Sequence, residues 1–185
     1  MTRKNKRRFP ADPDRYRDLY GFDSEFQVAS ERGKAILGAA RLDDLLRELI
    51  IRHLIRDKEK TNNLLDGPLQ SFGNRIAAAH CLGSITERER QNLRQIQDIR
   101  NAFAHNLHDV SFEHEWIVDK CESIEFPENS TKPGAEYSSL QRFQMAVMQL
   151  DFQLQYRIEE ATDCRESPRE YTWTVSEDGM AFIVD

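Results

Sequence analysis

At 185 residues, 39% hydrophobic and 31% charged, the chain is long enough for one domain with a substantial core and has the composition of a soluble globular protein. No run approaches the roughly 20 consecutive apolar residues that a membrane span needs. The basic start, Arg3 to Arg8, is not followed by the apolar stretch of a secretory signal.

Charge is unevenly spread. The formal net charge is −6, yet Arg3, Lys4, Lys6, Arg7 and Arg8 contribute +5, which leaves −11 on the rest. An acidic body matches nucleic-acid phosphates poorly, because binding draws on Lys and Arg displacing counterions. Direct DNA or RNA contact is therefore expected, if anywhere, at those five basic residues, and the plainer reading of the arm is a solvated leader. Cys81, Cys121 and Cys164 are odd in number and form no Cys-x-x-Cys pair. They read as thiols of a reducing compartment, so a cytoplasmic location is expected.

In chain order, residues 9 to 29 hold Pro10, Pro13 and Gly21 among scattered aromatics and read as an irregular or short-helical lead-in. A long helix is expected from about Glu31 to Asp57. Its apolar residues cover most of the circumference, which makes it central to the fold. Ser30 or Ser24 is placed to cap it, without a capping box at Ser30. Asp43 and His53 fall on its apolar arc. Asp43 will need a partner if buried, and His53 reads as a packed, hydrogen-bonded histidine.

A short helix follows over Lys58 to Asp66, stopped by Gly67 and Pro68. The next runs from about Leu69 to Leu82, with Phe72, Ile76, Ala79 and His80 on one face and Gly83 beyond its end. Thr86 and Glu89 then form a capping box that starts another helix at about Glu87. This helix ends in Arg100-Asn101-Ala102-Phe103-Ala104-His105. A shorter helix is expected around Glu113 to Ser123, a loop over Pro127 to Gly134, and a long helix from about Tyr137 to Thr162. On that last helix Leu140, Phe143, Val147, Leu150 and Leu154 make one stripe, and Met145, Met148, Phe152 and Tyr156 a second. Two apolar faces imply burial on two sides, one of which suits a homodimer partner or an intramolecular core equally. After Pro168 the period changes to two. Residues 171 to 175 and 180 to 184 read as a hairpin around Ser176 to Gly179, with Trp173 and Phe182 docking on the body or a second chain.

On the helix that starts at Glu87, Arg100 falls inside the apolar stripe of Leu93, Ile96, Phe103 and Leu107. An inward arginine needs a carboxylate or several carbonyls, and the expected partner is Asp43, with Asp44 or Glu48 as substitutes. Asp98, Asn101 and His105 share a different face. Arg100 and His105 lie about 140° apart on a straight helix, so they meet at one phosphate only across a bend or between two protomers. His105, His108 and His114 lack the further ligands of a zinc site. No metal and no cofactor are expected, and the Gly-rich phosphate loop and nucleophile elbow are missing.

Four ordered segments carry a family resemblance: Ser30 to Leu46, Leu64 to Leu69, Phe72 to Ile85, and Arg100 to His105. Over roughly residues 25 to 160 the chain resembles the mannitol operon repressor family. The resemblance implies an all-α fold and a transcriptional regulator that works through a protein partner. The hexapeptide Arg100 to His105 also resembles the Arg-polar-x-x-x-His motif of HEPN domains, many of which are dimeric, metal-independent RNases. Carried over, Arg100 would hold the scissile phosphate, His105 would be the general acid or base, and Asn101 would orient these two side chains. Histidine suits that role because its unperturbed pKa lies near neutrality. The expectation is thus an all-α bundle of about five or six helices with a small C-terminal β-hairpin, forming a homodimer. It divides into an arm and lead-in (1–24), a helical domain (25–164) and a hairpin tail (165–185). The function expected is protein-contact regulation, with RNA cleavage as the alternative.

Overall fold

The computed structural model describes residues 13–105, 110–127, 135–161, 172–175 and 181–184; for 13–20 and the last two segments it describes the backbone alone. Among these residues the body is all-helical, with seven helices rather than five or six: α1 (Pro13–Val28), α2 (Glu31–Ile51), α3 (Lys58–Asp66), α4 (Phe72–Cys81), α5 (Glu87–His105), α6 (Glu115–Glu122) and α7 (Ser139–Glu160). The additional helix is α1, sixteen residues long where the sequence suggested an irregular or short-helical lead-in. Pro13 occupies its first position, where a missing N–H costs nothing. Two backbone segments, Thr172–Val175 and Ala181–Val184, pair antiparallel with Thr172 opposite Val184. The expected docking of Trp173 and Phe182, the turn at Ser176 to Gly179, and the basic arm lie outside the described residues. No described helix is long and apolar enough to cross a membrane.

Local chemistry sets the helix ends. Ser30 caps α2 through the Gly33 N–H, Asp57 caps α3 through Lys60, and Ser71 caps α4 through Asn74. Thr86 and Glu89 form the expected capping box, the Glu89 carboxylate accepting from the Thr86 N–H at 2.6 Å. Ser138 and Gln141 form a second one at α7. Gly83 adopts φ +69°, the left-handed conformation that lets the chain leave α4 after its last turn. α2 stops at Ile51, six residues short of expectation, so His53 lies in a turn and is half-buried.

α2 is the hub, packing against α1, α4, α5 and α7. Leu42, Leu46, Leu49 and Ile50 are sealed there with Ile76, Leu93, Ile96, Ile99, Phe103, Phe143, Val147 and Leu154. Burying a Leu or Ile side chain contributes about 1.5–3 kcal/mol, and this cluster is the main source of cohesion. α1 lies antiparallel on α2: Phe26 meets Gly38, and Arg41 stands 5.7 Å from the centre of the Phe22 ring. At Gly38 a side-chain carbon would come within 2.9 Å of Val147 and 3.2 Å of Phe26, so three helices close on a residue without a side chain. On α7 Phe143, Val147, Leu150 and Leu154 of the first stripe are buried as expected, and Leu140 is half-buried. In the second stripe Met145 and Met148 are half-buried, while Phe152 and Tyr156 are 42% and 37% exposed.

Charges also tie the helices. Asp151, fully buried on α7, accepts from Arg41 Nε of α2 at 2.6 Å and from Gln155. Burial pushes its carboxyl above the usual carboxylate range against the opposing pull of Arg41. Glu89 caps α5 and also takes a bidentate contact from Arg157 of α7, at 2.9 Å and 3.0 Å. Arg142 gathers the carbonyls of Cys121, Glu122 and Ile124 at the end of α6, while Asn92 clamps the N–H and C=O of Glu125.

The Arg41–Asp151 pair should respond asymmetrically. Arg41→Ala leaves a buried carboxylate unpaired and is expected to cost about 3–5 kcal/mol, whereas Asp151→Asn, which frees a partly exposed arginine, costs about 1–2 kcal/mol. Equal losses in urea denaturation would contradict this assignment. Because the folded carboxyl holds its proton more tightly than the ordinary value of 3.8, its contribution to stability is full below that value and is lost as pH rises through the folded pKa. Asp151→Asn should remove that decline from a stability profile taken upward from pH about 4.

Candidate functional site

α5 presents the Arg100–His105 segment at its C-terminal end. Its core face is Leu93, Ile96, Ile99 and Phe103, all essentially buried. Arg100 is exposed, and its Nη1 donates to the Oδ1 of neighbouring Asn101 at 3.0 Å. The expected Asp43–Arg100 pair does not form. Asp43 instead takes Arg75 Nη1 of α4 at 2.7 Å. Asp44, the substitute considered for Arg100, is exposed, and Glu48 is 3.5 Å from Arg52.

The reason lies in where α4 begins. Gly73, in its first turn, lies so close to α5 that a side-chain carbon there would come within 2.8 Å of Arg94 and 2.7 Å of Gln97, and Arg94 donates to the Gly73 carbonyl at 3.0 Å. One turn beyond Gln97, α5 has passed the start of α4, and Arg100 opens onto a groove instead of a core. Arg75 carried the same signal as Arg100, a charge on an apolar face, three residues after Phe72 and four before Ala79. It is the arginine that is buried. Burial raises the Asp43 carboxyl above its ordinary range against the pull of Arg75, with Arg100 a more distant influence.

Two concavities flank Asn101. The first, about 360 Å³, lies between α2, the start of α4 and α5, and is lined by Ile36, Asp43, Ser71, Phe72, Gln97 and Arg100 among others. The second, about 390 Å³, lies between α5 and the start of α6; Asn101, Ala102, Val110, His114, Trp116 and Ile117 line it with Asp98. Asn101 lines both, Arg100 opens into the first and His105 lines neither. α5 is continuous helix through His105, so no bend within it brings Arg100 and His105 together. Asp98, expected to share a face with Asn101, binds Lys120 at 2.6 Å, and that ammonium also stands 5.1 Å from the centre of the Trp116 ring.

The end of α5 is held from α2. Arg32 donates to the Phe103 carbonyl, and Glu31 accepts the Phe112 N–H at 3.1 Å. His105 is exposed, His114 precedes α6 without capping it through its side chain, and His108 lies outside the described residues. Among the described residues no group of three or more His, Cys, Asp or Glu could hold a metal. Cys121 is buried, which pushes its thiol up to about 12 and makes it a poor nucleophile at neutral pH. The basic arm, Arg3, Lys4, Lys6, Arg7 and Arg8, lies outside the described residues. Trp116 and its cavity were not singled out by sequence; an exposed tryptophan at the start of a short helix was the available signal.

Arg75→Ala is expected to cost about 2–3 kcal/mol, since it strands a partly buried carboxylate, while Arg100→Ala stays within about 0.5 kcal/mol. The reverse order in thermal or chemical unfolding would reinstate Arg100 as the structural arginine.

No protein-family model matches the sequence, and no curated protein matches it. Among solved structures the chain is similar to one described as the X-ray structure of the MtlR–HPr complex from Escherichia coli. The TM-score is 0.52 at 16% identity, over 78% of this chain and 98% of that one. The fold is MtlR-like.

Proposed function

We propose that the chain is a transcriptional regulator resembling the mannitol operon repressor, acting mainly through protein–protein contacts. The observation that carries this reading is the fold likeness, which spans 98% of a chain whose structure was determined as the MtlR–HPr protein complex. The four ordered sequence segments lie on the elements that build that fold: α2, the end of α3, α4 with its exit, and the end of α5. The acidic body supports protein contact over direct DNA binding, and the expected cytoplasmic homodimer is part of the same reading.

The alternative is a HEPN-type RNase that uses Arg100, Asn101 and His105. One observation favours it: Arg100 and His105 both stand at the surface, and Arg100 is already joined to Asn101. Because α5 is unbroken, the alternative requires Arg100 of one protomer and His105 of another to face one phosphate.

Deleting the gene should change the level of a small set of transcripts, and the purified protein should leave RNA intact with or without EDTA. Metal-independent cleavage lost in both His105→Ala and Arg100→Ala would establish the RNase instead. In a mobility-shift assay, protein lacking residues 1 to 8 should not retard DNA; a shift that survived the truncation would overturn action through protein contacts.

A further inference from the structure

The cavity beside Trp116 has an unusual rim. Trp116 is 43% exposed at the start of α6, beside the apolar side chains of Ala102, Val110 and Ile117. Exposed acidic residues neighbour Trp116 in the chain and along α6, Glu113, Glu115, Asp119 and Glu122, and none of them forms an ion pair among the described residues. Two described cations near this face are already committed, Lys120 to Asp98 and the Trp116 ring and Arg142 to the carbonyls at the end of α6. Glu115, Asp119 and Glu122 follow the i, i+4, i+7 spacing of one helical face, and like charges at i, i+4 are unfavourable by a few tenths of a kcal/mol. The face thus has an aromatic anchor, an apolar recess and carboxylates without an ion pair among the described residues.

The same chain carries the complement. Arg3, Lys4, Lys6, Arg7 and Arg8 supply five positive charges, and Phe9 follows them directly. The geometry points to the arm of a second copy as the occupant of this face, with Phe9 in the recess beside Trp116 and the basic residues against the carboxylates of α6. Attachment to the chain's own body is disfavoured by reach. α1 runs antiparallel to α2, and its last turn lies at the end of the bundle where Arg32 meets Phe103, the level of the Trp116 recess. Its first residue, Pro13, is therefore about 24 Å away along the bundle, at 1.5 Å per residue over sixteen residues. Phe9 is four residues from Pro13 and reaches at most about 14 Å. Reciprocal exchange of arms between two copies satisfies both faces and closes the assembly.

Dimerisation of the full chain can be followed without any partner or nucleic acid. Light scattering at micromolar concentration and low salt should give a dimer that dissociates at about 0.5 M salt, as expected for a screened contact. Glu115→Lys with Asp119→Lys should weaken dimerisation at least about tenfold, and adding Arg7→Glu with Arg8→Glu should restore it, since opposite-charge steering depends on sign and not on residue identity. Phe9→Ala and Trp116→Ala should each weaken it. A fluorescein-labelled peptide of residues 1–12 should bind the arm-truncated protein and change Trp116 emission. A monomer under all conditions, a dimer indifferent to the arm, or a charge swap without rescue would each overturn the proposal. Peptide binding by a chain that remains monomeric would overturn the second copy as occupant.

Discussion

The structure depends on burying α2 from several sides at once. A helix apolar around most of its circumference cannot stand at a surface, so α1, α4, α5 and α7 must all find room against it. That requirement fixes which side chains can be large. It also fixes where α5 must lie, because Ile96, Ile99 and Phe103 complete the packing that Leu42, Leu46 and Leu49 begin. The Arg100–His105 segment is carried on the back of this arrangement. Its large apolar residue, Phe103, is anchored in the core, and Arg100 and His105 are left at the surface.

Polar groups inside the bundle act as fasteners between helices that hydrophobic contact alone would leave free to slide. Arg41–Asp151 ties α2 to α7, Arg75–Asp43 ties α4 to α2, and Glu89–Arg157 ties α5 to α7. Each joins helices distant in sequence, and each has at least one member well shielded from water. Such pairs are weak evidence for net stability, because desolvation offsets much of the attraction. Their directional hydrogen bonds are better understood as selecting one register of the helices over its neighbours.

Much of this was legible in the sequence. The capping box at Thr86, the stop at Gly67 and Pro68, the exit at Gly83 and the buried stripe of α7 are local signals that the structure keeps. The pairing of charges was not legible, because it depends on where neighbouring helices end. Arg75 and Arg100 both fall on apolar arcs, and only the start of α4 at Phe72 decides that Arg75 is covered and Arg100 is open. Asp151 was missed although it lies within the stripe formed by Val147 and Leu154, where a carboxylate demands a partner. The length of α1 was not legible, because Pro10, Pro13, Gly21 and the scattered aromatics obscure the helical period. The candidate site was legible as a motif, but the concavities on either side of Asn101 belong to the tertiary arrangement.

The contact at Gly38 has a consequence for how related chains are to be read. Position 38 and position 147 occupy a single volume shared by α2 and α7, with Phe26 of α1 closing the third side. A residue at one of them is therefore permitted or forbidden by the residue at the other, and close-packed interiors leave little slack to absorb a mismatch. Sequences that keep this architecture should vary there as a couple, a larger residue at 38 accompanied by a smaller one at 147. Such linked variation would mark common descent of the three-helix junction even where overall identity has fallen too low to reveal it.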